Sequence, residues 1–217
     1  MNLAELMIKN IEEYGEYDTL YYEGRWYSNV EMERRSRQVA EGLVELGVRK
    51  GDRVATVLGN CPEVLNIFHA CFRLGSWAMP VLFTLTGEEI GYVLRDSGAK
   101  VVITQKLFWD KVKEAQKAAS TVEAVVTVDE PVEGAHFLQE WFKQPPSEFP
   151  PVACKEEDVA ILMYTSGTTG RPKGVMLSHN NLYTNAMAAA KSQNMEEEEM
   201  GISALPLNHS YGIITNI

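Results

Sequence analysis

Four short apolar runs, at residues 53–58, 77–82, 101–104 and 122–128, alternate with stretches that carry the start and stop signals of helices. Ahead of the first run, Ser28 and Glu31 have the spacing of a capping box and open a helix to about Leu46. Its apolar stripe, Val39, Leu43 and Leu46, recurs at helical spacing, and Gly47 follows where a C-terminal glycine is expected. Pro62 suits the first turn of the next helix, which reads to about Leu74. Thr86 and Glu89 form a second capping box, for a helix ending near Ser97 and Gly98. Residues 107–119 read as one more helix. Strands that alternate with helices in this way predict an α/β fold, a parallel sheet with helices packed on it. No internal repeat is present.

From residue 129 the pattern stops. Pro131, Pro145, Pro146, Pro150 and Pro151 punctuate residues 129–157, which hold one short helix candidate at 137–142. This reads as a connection between a first subdomain, 1–128, and a second that begins at 158 and runs to 217. The first 17 residues are acidic and helix-like, without the basic start and apolar centre of a secretory signal. The most apolar stretch, around 70–85, is interrupted by Arg73 and Pro80, so no transmembrane segment is expected. Cys61, Cys71 and Cys154 are odd in number and include no Cys-x-x-Cys pair. They read as filler thiols in a reducing, cytoplasmic setting. The net charge is −10, with 20 basic residues scattered among 30 acids. A nucleic-acid partner is therefore not expected, since binding phosphates needs a basic face. The acidic run Glu196 to Glu199 reads as a solvated turn or helix end rather than a metal site.

The chemistry sits in residues 158–178. An apolar, strand-like run, 158–164, leads into Thr165-Ser166-Gly167-Thr168-Thr169-Gly170-Arg171-Pro172-Lys173-Gly174, and residues 175–178 are strand-like again. Glycines let backbone N–H groups face an anion, hydroxyls add donors, and Lys173 supplies a mobile positive charge for a polyphosphate. A flexible linker would not lie between two buried strands. Nor is this a Walker loop, because Lys173 is followed by Gly174 and a β-like run rather than by Ser or Thr and a helix. The next helix starts near Asn180 or Asn181. The loop is thus expected to close a hairpin, and no helix N-terminus points at the phosphates.

The run from Tyr164 to Gly174 resembles the signature loop of the adenylate-forming superfamily, which comprises acyl- and aryl-CoA synthetases, luciferases and the adenylation domains of peptide synthetases. The likeness extends along the chain, through Gly24-Arg-Trp-Tyr-Ser28, residues 46–54, Asn60-Cys-Pro-Glu63, Gly75-Ser-Trp-Ala-Met-Pro80 and residues 94–103. Leu205-Pro-Leu-Asn-His-Ser-Tyr-Gly212 is similar to the Pro-Leu-Phe-His-x-x-Gly segment of CoA ligases, with Asn208 where an aromatic is common. Peptide-synthetase domains usually carry Phe-Asp-x-Ser there.

The resemblance implies the stacked sheet-and-helix subdomains of the large N-terminal domain of acyl-CoA synthetases, truncated. It implies two half-reactions. A small carboxylic acid attacks the α-phosphorus of ATP, and the CoA thiol then displaces AMP. In that frame Thr165, Ser166, Gly167, Thr168, Thr169, Gly170 and Lys173 hold the ATP phosphates, Thr165 is also a Mg²⁺ ligand, and His209 stands at the mouth of the acyl pocket. Lys173 and His209 are the expected catalytic residues. His179 reads as structural, and His69 and His136 as helix-face residues. The family's downstream Tyr-Gly-x-Thr-Glu segment, ribose aspartate, hinge and C-terminal lysine are not among the 217 residues, so the chain is expected to be a front part, inactive alone. A carrier-protein-loading domain and a non-catalytic nucleotide-binding relative are the alternatives. After one further strand, 201–205, an open sheet with exposed Ile213, Ile214 and Ile217 would leave the second half partly ordered or self-associating.

Overall fold

The computed structural model describes residues 2–145, 147–165, 171–193, 201–209 and 212–213. The expected acidic run at 196–199, most of the glycine-rich loop (Ser166, Gly167, Thr168, Thr169 and Gly170), Ile214 and Ile217 lie outside them.

The chain opens with helix α1 (Leu3–Tyr14), a hairpin of β1 (Asp18–Tyr22) and β2 (Arg25–Ser28), and helix α2 (Asn29–Glu45). The alternation expected from sequence follows: β3 (Arg53–Val57), α3 (Pro62–Leu74), β4 (Trp77–Pro80), α4 (Gly87–Ser97), β5 (Val101–Thr104), α5 (Trp109–Ala118) and β6 (Ala124–Thr127). The short β7 (His136–Phe137) and α6 (Leu138–Trp141) lead to β8 (Val159–Thr165), β9 (Lys173–Ser178) and α7 (His179–Ser192). Local chemistry fixes several boundaries. Thr86 and Glu89 satisfy each other's backbone in a complete capping box, and Gly75 and Gly98 end their helices in the left-handed conformation. At α2 only half of the expected box forms. The Ser28 side chain accepts from the Glu31 N–H, while the Glu31 carboxylate turns to Arg25 and Arg35.

Seven strands form one sheet in the order β7-β6-β5-β3-β4-β8-β9, parallel throughout except for the antiparallel pair of β8 and β9. Side chains alternate between its two faces. Val54, Ala78, Val101, Ile103, Val126 and Ile161 join a core with α1, α2, α3 and α7. Ala55, Met79, Val102, Val125 and Leu162 join a second core with α4 and α5. Helices thus cover both faces, which is why the strands read as nearly continuous apolar runs. The connection at 129–157 does not separate two sheets, because β8 lies beside β4 with Ala78 opposite Ile161.

That connection is tied down. The Arg73 side chain, 1% exposed, binds Glu33 at 2.6 Å and donates to the carbonyl of Phe149. The Asn2 side chain donates to the carbonyls of Phe72 and Val152 at 2.9 and 3.1 Å. Three local expectations are corrected. His136 lies in β7, not on a helix, since the chain pairs there with Val126 of β6. Residues 201–205 are not a strand; the Leu205 carbonyl accepts from the Asn60 side chain rather than from a ladder, and Ile202 is 97% exposed. Ile213 is not exposed but joins the core at 1%.

Candidate functional site

Because β3, β4 and β8 run parallel, the loops that follow them emerge from one edge of the sheet. In open α/β sheets that carboxyl edge is where ligands bind, at the point where successive connections diverge to opposite sides. Here β3 is flanked by β4 and β5, the strands that follow it in sequence, so the divergence falls at β3.

The first component on this edge is the hairpin of β8 and β9. Tyr164 faces Gly174, and Thr165 faces Lys173, both exposed. Sequence and structure agree that the loop closes a hairpin and that no helix starts at its end; α7 begins at His179, beyond β9. The hairpin's base is fastened to α4. The Tyr164 hydroxyl donates to Asp96 Oδ2 at 2.7 Å, and the Tyr92 hydroxyl reaches the Pro172 carbonyl at 3.5 Å. Burial, reinforced by the Asp96 carboxylate, raises the Tyr164 pKa, so this phenol remains a proton donor in the bond.

The second component is the turn around His209. It docks on the ends of β3 and β4. Asn208 is 7% exposed, and its side-chain nitrogen lies 3.5 Å from the carbonyls of both Leu58 and Val81. Leu207 is also buried. The His209 N–H donates to the Pro206 carbonyl at 3.0 Å, and the Ile213 N–H to the His209 carbonyl at 3.1 Å. His209 itself is exposed at the crest of this turn. The Leu58 and Val81 carbonyls follow β3 and β4, and β8 is the next strand along, about 5 Å from β4. The structure therefore brings Thr165, Lys173 and His209 to the same edge, as separate pieces of chain converging on one face.

The other titratable candidates stay apart from it. His179 is buried at 1% and accepts the Leu3 N–H on Nδ1 at 3.3 Å, a structural role as expected. His69 is buried in α3 beside Phe72. Cys61 and Cys71 are buried, and burial pushes the Cys71 thiol up to about 12 and Cys61 higher still, which makes both poor nucleophiles. Sequence reasoning missed Asp96 and Asn60 as site-supporting residues. Both lie in segments that carry the family likeness, but their partners are 68 and about 145 residues away, a separation that no local signal bridges.

Among the described residues no group of three or more His, Cys, Asp or Glu could hold a metal ion. On this edge the exposed Thr165 hydroxyl offers a single hard oxygen, far short of a metal cage made by protein alone. No described helix is long and apolar enough to cross a membrane.

A mostly parallel α/β sheet with a hairpin and a histidine turn on its carboxyl edge has the layout of an α/β protein whose ligand site lies at the ends of its strands. The chain belongs to the AMP-binding enzyme family, matching it over residues 8–217. It is 36% identical over 193 residues to 4-coumarate–CoA ligase 2 of Solanum tuberosum, an alignment that covers 87% of this chain and 35% of that protein. In shape it is similar to the inhibitor-bound N-terminal domain of FACL13 from Mycobacterium tuberculosis, with TM-score 0.88 and 27% identity over 99% of this chain and 53% of that one. It is likewise similar to ATP-bound MatB from Rhodopseudomonas palustris, with TM-score 0.81 and 30% identity over 99% of this chain and 42% of that one. The chain spans about a third of the length of the curated relatives it matches.

Proposed function

We propose that this chain is the nucleotide-phosphate-binding front part of an AMP-forming acid–CoA ligase. The observation that carries the reading is the convergence of the Thr165–Lys173 hairpin and the His209 turn on one sheet edge. ATP use is supported by the family and by the likeness to an ATP-bound ligase. The residues present fit their parts. Ser166, Gly167, Thr168, Thr169 and Gly170 join two strands that end side by side, so their backbone and hydroxyl donors can surround an anion. Lys173 brings a charge that offsets the polyphosphate. Thr165 offers a hydroxyl oxygen to a Mg²⁺ ion bound with the nucleotide; the ion would neutralise phosphate charge. His209 orients the acid at the pocket mouth. A carboxylate oxygen then displaces pyrophosphate from the α-phosphorus, and the CoA thiol takes the acyl group from the adenylate. Such chemistry is mostly positioning and charge neutralisation.

We further propose that residues 1–217 alone bind nucleotide weakly and do not turn over, because the relative matched first is about two and a half times as long. The assignment to a reducing, cytoplasmic compartment rests on the three free thiols. The decisive experiment is carboxylate-dependent pyrophosphate exchange in the complete enzyme with His209→Ala. Acyl-adenylate formation should fall while ATP affinity is nearly unchanged. An equal loss of both would overturn the role given to His209.

A further inference from the structure

We infer that Asn60 is a positioning residue for His209, acting as a one-residue surrogate strand that fixes the turn on the sheet edge. The inference rests on the reading of His209 given above and adds what holds that residue in place.

Asn60 follows β3, just before Pro62 starts α3. Its side-chain nitrogen donates to the Leu205 carbonyl at 2.9 Å, and its side-chain oxygen accepts from the Leu207 N–H at 2.8 Å. The carbonyl of one residue and the N–H two residues on are the pair of groups that an extended chain offers to a parallel neighbour. A single carboxamide therefore takes the place of a strand residue. The residue between the two bonded groups is Pro206, whose missing N–H would have pointed away from Asn60 and so costs nothing here. The Pro206 carbonyl is then left to accept the His209 N–H. The Leu205 carbonyl and the Leu207 N–H are thus held by Asn60, and the Pro206 carbonyl and the His209 N–H by the turn itself. The buried side chains of Leu207, Asn208 and Ile213 hold the turn from below.

Asn60 is itself braced. The Tyr22 hydroxyl donates to the Asn60 carbonyl at 3.0 Å, and the Gln105 side chain accepts the Gly59 N–H at 2.9 Å, which ties the loops after β3 and β5 together. The β1–β2 hairpin, β3 and β5 therefore all support one carboxamide, which supports the turn that carries His209. Neither aspartate nor leucine can substitute. An aspartate keeps the acceptor for Leu207 but sets an oxygen against the Leu205 carbonyl, and a leucine loses both bonds.

Two measurements test this. In the 217-residue chain, hydrogen exchange at the Leu207 amide should be slow, faster in Asn60→Asp and fastest in Asn60→Ala. In the complete enzyme, Asn60→Ala should lower kcat/KM for the acid by about tenfold, the scale of two lost net hydrogen bonds, with KM for ATP little changed. Combined with His209→Ala it should add almost nothing, because both act through one turn. A purely structural role would instead lower stability and degrade the ATP and acid parameters together. The inference fails if Leu207 exchanges equally fast in all three chains, or if His209→Ala impairs the enzyme while Asn60→Ala does not. An unimpaired His209→Ala enzyme would instead sink the reading of His209, and slow Leu207 exchange would still establish the clip.

Discussion

Thr165, the last residue of β8, stands directly opposite Lys173, the first residue of β9. The segment between them must therefore leave and return at adjacent points, so a phosphate held there as proposed would meet the Lys173 ammonium where the chain re-enters the sheet. Lys173→Ala should slow carboxylate-dependent pyrophosphate exchange by about tenfold or more, the scale of a lost charged contact to a transferring phosphoryl group. Because Lys173 is exposed, the folded state should tolerate the change, with a urea midpoint close to that of the parent. Exchange at the parent rate would remove Lys173 from the mechanism.

The tether beneath the hairpin makes a separate prediction. Tyr164→Phe and Asp96→Ala each delete the bond between β8 and α4. Each should cost about 1 kcal/mol, since the pair is only partly shielded from water. The double variant should cost about as much as either single one, because both remove the same bond. Strictly additive urea midpoints would show that the two side chains do not act as a pair.

Much of this architecture is legible in the sequence. The boundaries of α3 are given by Pro62 and Gly75, and those of α4 by Thr86 and Gly98, because caps and left-handed glycines are local signals. The hairpin that pairs Thr165 with Lys173 is legible for the same reason, from the strand-like runs on either side of the loop. The β1–β2 hairpin is a missed local signal: Glu23 and Gly24, with φ of 46° and 84°, make the tight turn that an X-Gly pair between aromatic-rich runs permits. The remaining differences are long-range. β7 exists only because β6 offers an edge to His136 and Phe137. Residues 201–205 look strand-like, yet nothing in a local window shows that Asn60 takes the Leu205 carbonyl instead of a strand partner. The addition of β8 to the first sheet is a property of the Ala78–Ile161 pairing, which sequence punctuation at 129–157 conceals.

His69 and His179 predict a pH dependence. Both rings stand edge-on to Phe72, with centroids 5.8 Å away. Burial holds each pKa down at about 4, with Arg73 adding to the effect at His69; at His179, Asp158 opposes it and Lys50 adds to it. In the unfolded chain the same groups titrate near the ordinary value of 6.5. The folded pKa is the lower one, so the stabilisation is present above about 6.5 and is lost as pH falls toward about 4. Urea midpoints should therefore decline on acidification before most carboxylates protonate. His179→Gln, which keeps an acceptor for the Leu3 N–H, should flatten the decline. An unchanged slope in that variant would assign the acid sensitivity to other groups.

Gly212 closes the turn under His209, and its lack of a side chain is required there. A Cβ at this position would lie 2.3 Å from the Pro206 carbonyl oxygen and 2.9 Å from its carbon. Both atoms are backbone, and the oxygen already accepts the His209 N–H, so no rotamer change relieves the clash. Gly174 is the instructive contrast, because its Cβ would meet the end of the Leu162 side chain at 3.1 Å, which can move. Gly212→Ala should cost about 1–3 kcal/mol, the usual penalty for overpacking a filled site, whereas Gly174→Ala should cost well under that. Beyond stability, Gly212→Ala should push the turn off the strand ends and release the Leu207 amide from Asn60. Urea denaturation of both variants, with hydrogen exchange at Leu207, checks the two effects together. Equal midpoints for the two alanine variants, with Leu207 still protected in Gly212→Ala, would mean that the turn accommodates the methyl group and that its contact with Pro206 is not what fixes His209.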